Sequence, residues 1–390
     1  MSNKKFTVAF DDVSLQIGDT GIARYWRELT SNLASQGIFH ELQVNPIFLG
    51  RTSFKASPTS KYLEFPSYDF RYPAADRAVI DAFCQSEGVD LFVSSYYTYS
   101  TNTPNLIMVY DLIPEVFGFT RMNRGWLERE LAMYAASSYF AISQNTKSDL
   151  LKFYPHASEA LIGVGQPGIN TSMFSSQHIP NEKVKLPQRR YFVCVGSRYG
   201  ENGYKNGTLL VDAIDLIENK EIDFELWFIG GEQLTSEEKR LVAQKGLKIH
   251  TGRLEDSELV TVIKEAEALI YPSKYEGFGM PPLEALALGT PVVTTRSSSI
   301  PEAVGNLALY VRPEDPNQLA HLLLHEDFSK LKLNLKVTGP EHASKFSWEN
   351  TAKTFGALLS KSLATEPDPN WRERQEILAE YSKIAINLQH

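Results

Sequence analysis

Short apolar runs alternate with longer segments whose apolar residues recur every three or four positions. Runs of this kind, bounded by turn residues, predict strands buried on both faces, and the longer segments predict amphipathic helices. In the first half of the chain the predicted strands are 6–10, 42–48, 91–93, 106–110 and 139–142, and the predicted helices are 23–36, 74–87, 123–137 and 145–153. Regular alternation of strands and helices predicts an α/β fold with a parallel, doubly wound sheet.

A second alternation of the same kind follows a polar stretch at 174–188 that contains no predicted strand. Its predicted strands are 191–196, 224–230, 247–250, 268–271, 291–294 and 309–311. We therefore predict two Rossmann-like domains, at 1–182 and 183–365, and a terminal helical segment at 366–390. A chain of 390 residues with 43% hydrophobic residues has enough apolar material for two cores.

Composition narrows the class of protein. No segment reaches the roughly 18 consecutive apolar residues that a membrane span needs, and the amino terminus enters a strand without the apolar region of a signal peptide. These features predict a soluble, cytoplasmic protein. The net charge of −8 argues against general nucleic-acid binding. Cys84 and Cys194 lie in apolar surroundings, where packing is the expected role of a cysteine.

The segment after the strand 268–271 combines several turn and helix signals. Pro272 ends the strand because it cannot donate to a central sheet. Gly277 and Gly279 permit backbone angles that are closed to other residues and allow main-chain N–H groups to approach a ligand. A helix is predicted over 282–288, since prolines suit a first helical turn.

Two carboxylates frame this turn and helix. Glu276 lies in the turn and Glu284 is predicted in the first helical turn, with seven residues between them. Both can then face one crevice at the carboxyl end of the sheet, which is where open α/β sheets bind ligands. The spacing alone also fits two solvated glutamates on an amphipathic helix, so the flanking residues decide between the two interpretations.

With its flanks included, the segment resembles a known motif. Glu276-Gly277-Phe278-Gly279 followed by Glu284 is similar to the Glu, seven residues, Glu motif of the retaining glycosyltransferases of family four, which are group 1 glycosyltransferases. The resemblance extends through Pro281, Pro282, Ala285, Ala287, Gly289, Pro291 and Val292. It implies the GT-B fold, in which two Rossmann-like domains face each other across a cleft.

The resemblance also implies roles for site residues. Glu284 would bind the ribose hydroxyls, and Glu276 would bind the donor sugar. Arg198 and Lys205 match an arginine and a lysine that hold the donor diphosphate. The main-chain N–H groups that would assist are those of Gly277, Phe278 and Gly279. Fixed cations can stabilise the departing diphosphate without a metal, so we expect neither a metal nor another cofactor.

Further donor contacts follow from the same resemblance. The loop with Arg253 and Leu254 corresponds to one that contacts the donor base. The glycine turn with Gly18 and Gly21 corresponds to a loop near the donor phosphates or the acceptor, and Arg24 would then lie on the acceptor side. The alternative for this turn is an ordinary tight turn with a solvated arginine.

Candidate acceptor and catalytic residues follow two strands of the first domain. Asp111 keeps its place in the family pattern and could bind a hydroxyl or orient the acceptor; the alternative is capping of the next helical turn. Tyr110 stands where the family usually has a histidine. Tyr96 and Tyr97 could stack on sugar rings, or they could simply pack within a loop.

The implied function is transfer of a sugar from a GDP- or UDP-linked donor to a glycan or lipid-linked acceptor, with retention at the anomeric carbon. By analogy with the family, the protein would visit the inner face of the membrane peripherally; the oligomeric state is left open. The alternatives are a nucleotide-sugar epimerase or hydrolase and a non-catalytic sugar-nucleotide-binding relative. A phosphorylase is disfavoured because no lysine has a setting suited to pyridoxal phosphate. Asp11 and Asp12 are adjacent and so point to opposite faces, which does not suit a metal site.

Overall fold

A computed structural model of the chain describes residues 5–18, 20–52, 61–120 and 122–387. Its contacts divide the chain into two compact units. The first unit comprises residues 1–168 and 347–390, and the second comprises residues 169–346. The parts of the predicted domains that lie outside the described residues are 1–4, 19, 53–60, 121 and 388–390.

Strands and helices alternate through both units. In the described residues the strands are β1 (Phe6–Asp11), β2 (Val44–Gly50), β3 (Lys61–Glu64), β4 (Leu91–Ser94), β5 (Asn105–Val109), β6 (Ser138–Ala141), β7 (Ile162–Val164), β8 (Tyr191–Val195), β9 (Glu225–Ile229), β10 (Ile249–Gly252), β11 (Ala268–Tyr271), β12 (Val292–Thr295) and β13 (Leu309–Val311). The helices are α1 (Gly21–Ser35), α2 (Ile38–Glu41), α3 (Pro73–Glu87), α4 (Ile113–Val116), α5 (Arg124–Ala135), α6 (Gln144–Phe153), α7 (Gly207–Leu216), α8 (Ser236–Lys245), α9 (Asp256–Glu265), α10 (Met280–Ala287), α11 (Ile300–Val304), α12 (Pro316–His325), α13 (Phe328–Ala343), α14 (Trp348–Ala364) and α15 (Trp371–Asn387). Among the described helices, none combines the length and the apolar character needed to cross a bilayer.

Both units contain one parallel sheet with the same kind of strand order. The first sheet runs β3-β2-β1-β4-β5-β6-β7, and the second runs β10-β9-β8-β11-β12-β13. In each sheet the direction of winding reverses once, between β1 and β4 in the first and between β8 and β11 in the second. The prediction of two doubly wound parallel sheets is therefore confirmed. Such reversal points leave a crevice at the carboxyl ends of the strands.

The strands of the second unit are continuous apolar runs in the sequence because both of their faces are buried in the core. Phe192 on β8 has no exposed surface, and its ring contacts Phe224 at 5.3 Å and Phe328 at 5.4 Å between centroids. The strand pairs on both sides, with Leu269 of β11 aligned with Val193 of β8 in the parallel register. Helices cover both faces, so polar residues have no solvated face to occupy.

The two units divide the chain at other positions than the predicted 182/183 and 365/366. The stretch 169–182 is tied to the second unit because Asn181 N–H donates to Thr261 Oγ1 (2.9 Å) and Lys264 Nζ donates to the carbonyl of Ser176 (2.8 Å). The chain returns to the first unit at Ser347, before the predicted terminal segment begins.

The terminal helices pack on the first unit. Helix α14 contacts α1 and β7, and α15 contacts α3 and α5. A buried hydrogen bond fixes α15, since Arg77 Nε on α3 donates to Ser382 Oγ (2.8 Å). The same guanidinium forms an ion pair with Glu128 on α5 (2.7 Å), so one side chain links three helices.

The sequence prediction missed one long helix, α13, and the short strands β3 and β7. In α13 apolar and polar residues alternate from 331 to 337, followed by Gly339 and Pro340, a pattern that does not resemble an amphipathic helix. The helix forms because it packs on α10. A Cβ placed on Gly339 would lie 2.0 Å from the carbonyl oxygen of Leu286, so only glycine allows this approach.

We expect Gly339→Ala to lower the free energy of unfolding by about 1–3 kcal/mol, because the added methyl group must push α13 away from α10. Gly252→Ala is the matched control, since a Cβ at that position meets no atom within 4 Å and its backbone is not left-handed. Urea denaturation of both variants measures the difference. Equal stability of the two variants would contradict the close helix approach.

Candidate functional site

An ion pair lies beyond the carboxyl ends of the two central strands of the second sheet. Lys205 follows β8 and Glu276 follows β11, the strands between which the winding direction reverses. Lys205 Nζ donates to Glu276 Oε1 at 2.8 Å and to Oε2 at 2.9 Å. The lysine side chain is 18% exposed and the glutamate side chain 9%, so the pair is mostly buried but remains reachable from solvent.

The loop before α7 holds Lys205 by main-chain contacts. Gly207 N–H donates to the carbonyl of Arg198 (2.6 Å), which closes the loop on itself, and a Cβ on Gly207 would clash with that oxygen at 2.6 Å. Asn206 adopts a left-handed conformation (φ 59°), and its Nδ2 donates to the carbonyl of Pro272 after β11 (3.1 Å). The lysine is thus joined to the loop that carries Glu276.

Two serines that precede α11 hold the backbone of Glu276. Ser298 Oγ accepts from Glu276 N–H (2.8 Å) and lies 3.1 Å from the carbonyl oxygen of the same residue. Ser299 Oγ donates to that carbonyl at 2.7 Å. Ser298 has φ 48°, a conformation that is unfavourable for a residue with a Cβ. Such strain at the contact to a candidate catalytic residue is typical of functional sites.

The electrostatics of the pair keep the lysine charged. Burial acts to lower the pKa of Lys205, but the Glu276 carboxylate opposes burial and raises this pKa above its ordinary value, with Tyr271 and Tyr204 adding to the effect. The pKa of Tyr271 is raised well above its ordinary value by burial and by the neighbouring Glu276 carboxylate. The site therefore contains a fixed ammonium, a carboxylate and a neutral phenol at neutral pH.

Helix α10 begins two residues earlier than the sequence predicts. Gly279 precedes it in a left-handed conformation (φ 105°), and Met280 is its first residue. The predicted start at Pro282 is wrong because Pro281 and Pro282 occupy the second and third helical positions. Glu284 is consequently the fifth residue of the helix rather than a member of its first turn, and it is 5% exposed. Since prolines lack N–H groups, the turn before α10 supplies most of the donors at this helix end.

Arg198 is held in a second ion pair. Its Nε donates to Glu238 Oε1 (2.7 Å) and its Nη2 to Oε2 (3.1 Å), while the guanidinium lies over the ring of Phe228 at 4.4 Å. Burial acts to lower the pKa of Arg198, and Glu238 raises it above its ordinary value. Arg198 Nη1 has no hydrogen-bond partner in the described residues. The structure thus brings Arg198 to the same loop as Lys205 but engages most of its donors.

Glu238 is a residue whose second role sequence reasoning missed. The capping box of Thr235 and Glu238 at the start of α8 is confirmed. The contact of Glu238 with Arg198 was not predicted, although a signal exists. Arg198 follows β8 and Glu238 follows β9, and neighbouring parallel strands present their carboxyl ends at one edge of the sheet.

The remaining predicted donor residues of the second unit separate into two places. Gly277 and Phe278 lie in the turn between Glu276 and α10, and Phe278 is 2% exposed with its ring 5.6 Å from that of Phe346. Arg253 and Leu254 follow the edge strand β10, which β9 separates from β8. Arg253 is exposed and Leu254 is half-buried.

Three predicted site residues lie around the start of α1 in the first unit. They are the donor-side glycines Gly18 and Gly21 and the acceptor residue Arg24. Gly18 has a left-handed φ of 91°, and Gly21 is the first residue of α1. Arg24 is half-buried in the first turns of that helix. Thr20 Oγ1 caps the helix by accepting from Ala23 N–H (3.2 Å), so this segment has the form of a capped turn.

The aromatic candidates of the first unit are largely packed. Tyr97 and Tyr110 are 4% exposed each, and Tyr96 is half-buried. The ring of Tyr110 makes an edge contact with Tyr96 at 5.8 Å, and burial raises its pKa well above the ordinary value. Asp111 Oδ1 accepts from the N–H of Ile113, the first residue of α4 (3.0 Å).

Asp11 and Asp12 point to different partners, as their adjacency predicts. Asp11 forms an ion pair with Arg51 (2.6 Å), and Asp12 Oδ1 accepts from Trp26 Nε1 (2.6 Å). Burial raises the pKa of Asp12 to about 8. Throughout the described ranges, no group of three or more histidine, cysteine, aspartate or glutamate side chains is arranged to hold a metal ion.

We expect Ser298→Ala to lower the free energy of unfolding by about 1–3 kcal/mol, since it leaves the buried Glu276 N–H without its acceptor. Ser298→Gly is the matched variant, because it loses the same hydroxyl but relieves the left-handed strain, and it should be more stable than Ser298→Ala by about 1 kcal/mol. Chemical denaturation measures both values. If the alanine variant is as stable as the glycine variant, the left-handed backbone conformation at residue 298 carries no strain.

Comparison with known proteins finds similarity to a family over part of the chain. Residues 189–325 match the family described as Glycosyl transferases group 1. A curated relative, the MMP alpha-(1->4)-mannosyltransferase of Mycolicibacterium hassiacum, is 34% identical over 152 residues, which cover 37% of this chain and 37% of the relative. The serotype-specific mannosyltransferase WbdA of Escherichia coli is 25% identical over 302 residues, covering 70% of this chain and 36% of that protein.

The chain spans about a third of the length of the curated relatives that it matches. A solved structure matches over almost the whole chain. The Anabaena protein Alr3699/HepE, solved in complex with UDP and glucose, has a TM-score of 0.65 at 16% identity, with 91% of this chain and 100% of that chain covered. The predicted fold class of two Rossmann-like, doubly wound parallel-sheet domains is confirmed. Residues 189–325 are similar to group 1 glycosyltransferases.

Proposed function

We propose that this chain is a retaining glycosyltransferase of family four, which transfers a hexosyl group from a nucleoside diphosphate sugar to a hydroxyl of a glycan or lipid-linked glycan. The observation that carries the proposal is the ion pair of Lys205 and Glu276 at the reversal point of the second sheet. Open α/β sheets bind their ligands at this position. The group 1 match spans both residues, since it covers 189–325.

The pair has bonding capacity left for a donor. An ammonium has three N–H groups, and Lys205 donates two hydrogen bonds to Glu276. The third N–H can serve a phosphate oxygen. A carboxylate has about four acceptor sites, so Glu276 can accept from a sugar hydroxyl without releasing the lysine. The preformed ion pair can thus hold both the phosphate and the sugar, the two groups whose connecting bond breaks in the reaction.

Positive charge at this edge supports loss of a diphosphate without a metal. As the bond to the sugar breaks, negative charge grows on the leaving diphosphate, and a cation that is already in position stabilises this charge at no further reorganisation cost. Lys205 is held charged by Glu276, and Arg198 lies on the same loop. The amides of the turn before α10 add partial positive charge. We infer a metal-independent reaction from this arrangement.

Mannose is the sugar that we propose first. The two relatives described above are both named mannosyltransferases. The solved neighbour is in complex with UDP and glucose, and it is less similar in sequence. A mannosyl donor with GDP is therefore the first candidate, and UDP-glucose is the second.

Retention at the anomeric carbon is proposed from the arrangement of charges around Glu276. Its carboxylate accepts two hydrogen bonds from Lys205 and is therefore a weak nucleophile. We propose that it positions the sugar, and that the departing phosphate receives the proton of the attacking acceptor hydroxyl. Attack then occurs on the face that the phosphate leaves, which retains the configuration.

A thermal-shift panel tests the donor. We expect GDP-mannose or UDP-glucose to raise the melting temperature, because a ligand that binds only the folded state stabilises it. Glu276→Gln should keep much of the nucleotide binding but reduce transfer by about 10²-fold or more, as the carboxylate contact to the sugar is lost. Transfer is measured as release of the nucleoside diphosphate in the presence of EDTA and acceptor glycans.

Glu341→Gln, an exposed residue of α13, is the control and should behave as the unmodified protein. Stabilisation by none of the nucleotide sugars, or unchanged transfer by Glu276→Gln, would contradict the proposal. Release of free sugar without an acceptor product would favour a hydrolase instead. Loss of activity in EDTA that added Mg²⁺ restores would contradict the metal-independent reaction.

The pH dependence of the unfolding free energy tests whether Lys205 is charged in the folded protein. Its pKa is raised in the folded protein, so its stabilising effect is complete below the unfolded pKa of about 10.4 and is lost as the pH rises towards the folded value. We expect Lys205→Met to be less stable than the unmodified protein by about 3 kcal/mol. This difference should stay constant from about pH 7 to 9.5 and shrink above about pH 10.5.

Lys239→Met is the control because Lys239 is exposed on α8, and its stability difference should stay near zero. Urea denaturation at each pH measures the unfolding free energies. A difference between Lys205→Met and the unmodified protein that grows between pH 7 and 9 would show that the pKa of the lysine is lowered in the folded protein, contrary to the ion pair.

A further inference from the structure

A cavity of about 240 Å³ lies in the first unit, next to the carboxyl end of β5. It is open to solvent on one side and is lined by α4, the loop after α4, helix α5 and the end of α6. At about 30 Å³ for each water, it has room for roughly eight water molecules. That space suits one small ring and is smaller than the pockets of about 300 Å³ or more that hold drug-sized ligands.

Two pairs of aromatic side chains line this cavity. Phe119 and Trp126 are in ring contact at 5.4 Å, and Tyr134 and Tyr154 are in contact at 5.6 Å. Trp126, Glu130 and Tyr134 follow each other at four-residue spacing, so they share one face of α5. The cavity thus combines flat apolar surfaces with a carboxylate between them.

The polar part of the lining is an ion pair with unused capacity. Glu115 Oε1 accepts from Arg129 Nη1 and from the hydroxyl of Tyr154, both at 2.6 Å. Within the described residues, Glu115 Oε2 has no hydrogen-bond partner, and neither does Trp126 Nε1. One atom is an acceptor and the other a donor, and leaving each unpaired costs about 1–3 kcal/mol.

We propose that this cavity binds one ring of a carbohydrate. The lining contains two carboxylates, Glu115 and Glu130, and one cation, Arg129. This balance disfavours an anion such as phosphate. A purely apolar ligand would leave Glu115 Oε2 and the indole N–H of Trp126 unpaired. A sugar ring satisfies both requirements, because its C–H faces pack on aromatic rings and its hydroxyl groups both donate and accept.

The position of the cavity suggests what the sugar belongs to. Arg129, which forms the ion pair with Glu115, also donates through Nη2 to the carbonyl of Asp111. One residue that lines the cavity therefore contacts the main chain of the residue that the sequence predicts for the acceptor. We assign the cavity as a subsite for a sugar residue of the acceptor glycan; this assignment rests on the proposed function, whereas binding of a sugar ring does not.

Saturation-transfer NMR on the full chain tests the cavity, with methyl α-D-mannopyranoside and methyl α-D-glucopyranoside as probes. We expect at least one glycoside to receive saturation. Trp126→Ala and Tyr134→Ala should each weaken its binding about tenfold or more, since each removes a stacking surface. Tyr134 is 39% exposed at the rim, so its replacement preserves the fold even if Trp126→Ala does not. Tyr381→Ala, an aromatic of α15 with 40% exposure outside the cavity, should leave binding unchanged.

Three results overturn the inference: no saturation of either glycoside, equal binding by both cavity variants and the control, or displacement of the glycoside by inorganic phosphate. Stabilisation by nucleotide sugars, followed by thermal shift in the same variants, separates this inference from the proposed function. Donor stabilisation without glycoside binding overturns the cavity alone. Glycoside binding without any donor stabilisation keeps the sugar-binding cavity and overturns its assignment to an acceptor.

Discussion

The strand order of the second sheet is the constraint on which the candidate site depends. Lys205 and Glu276 are 71 residues apart in sequence, and they meet because β8 and β11 are neighbours at the point where winding reverses. In the sequence three helices and three strands lie between them. Any other position of β11 would leave a buried ammonium and a buried carboxylate without partners, which is a large energetic penalty. The topology and the ion pair therefore require each other.

Charged groups mark the carboxyl ends of several neighbouring strands in this unit. The loop after β8 carries Arg198 and Lys205, and each cation has a carboxylate from the adjacent strand. Glu238 comes from the side of β9 and Glu276 from the side of β11. The first pair fixes the shape of the loop, since Arg198 also donates to the carbonyls of residues 232 and 233. The pair of Lys205 and Glu276 is closer to solvent, and Lys205 has one N–H group that Glu276 does not engage. A rigid loop of this kind holds Lys205 in place before any ligand arrives.

Most elements could be predicted from the sequence because strands buried on both faces give unmistakable apolar runs. The run at 268–271 coincides with β11, and its flanking turn residues gave the position of Glu276. The pairing of Lys205 with Glu276 could not be read from the sequence, because a motif names residues but not their partners. The same limit hid the contact between Arg198 and Glu238.

The errors have equally local causes. Two consecutive prolines suggested a helix that starts at Pro282, but Gly279 can adopt the left-handed conformation that lets α10 begin at Met280. The helix α13 was missed because its apolar residues alternate with polar ones. Leu333 and Val337 remain 70% and 61% exposed, while Leu335 is buried and Gly339 lies against Leu286 of α10. Tertiary contact rather than the amphipathic pattern decides the structure of this segment.

The two units share a topology but use the equivalent edge of the sheet differently. In the first unit Arg51 follows β2 and forms ion pairs with Asp11 and Asp76, both at 2.6 Å. Its Nε, Nη1 and Nη2 donate to these two carboxylates and to the carbonyl of Pro66, which accounts for all five N–H groups. The guanidinium has no exposed surface.

This contrast separates a structural ion pair from one that can bind a ligand. A cation with every donor engaged and no exposure cannot contact a ligand unless the pair first breaks, which costs several kcal/mol. Lys205 is partly exposed and donates two of its three N–H groups to Glu276. A diphosphate could therefore bind to Lys205 without any loss of the existing contacts. A free N–H group on a cation that is held in place, rather than charge alone, is what supports the proposed nucleotide-sugar site in the second unit.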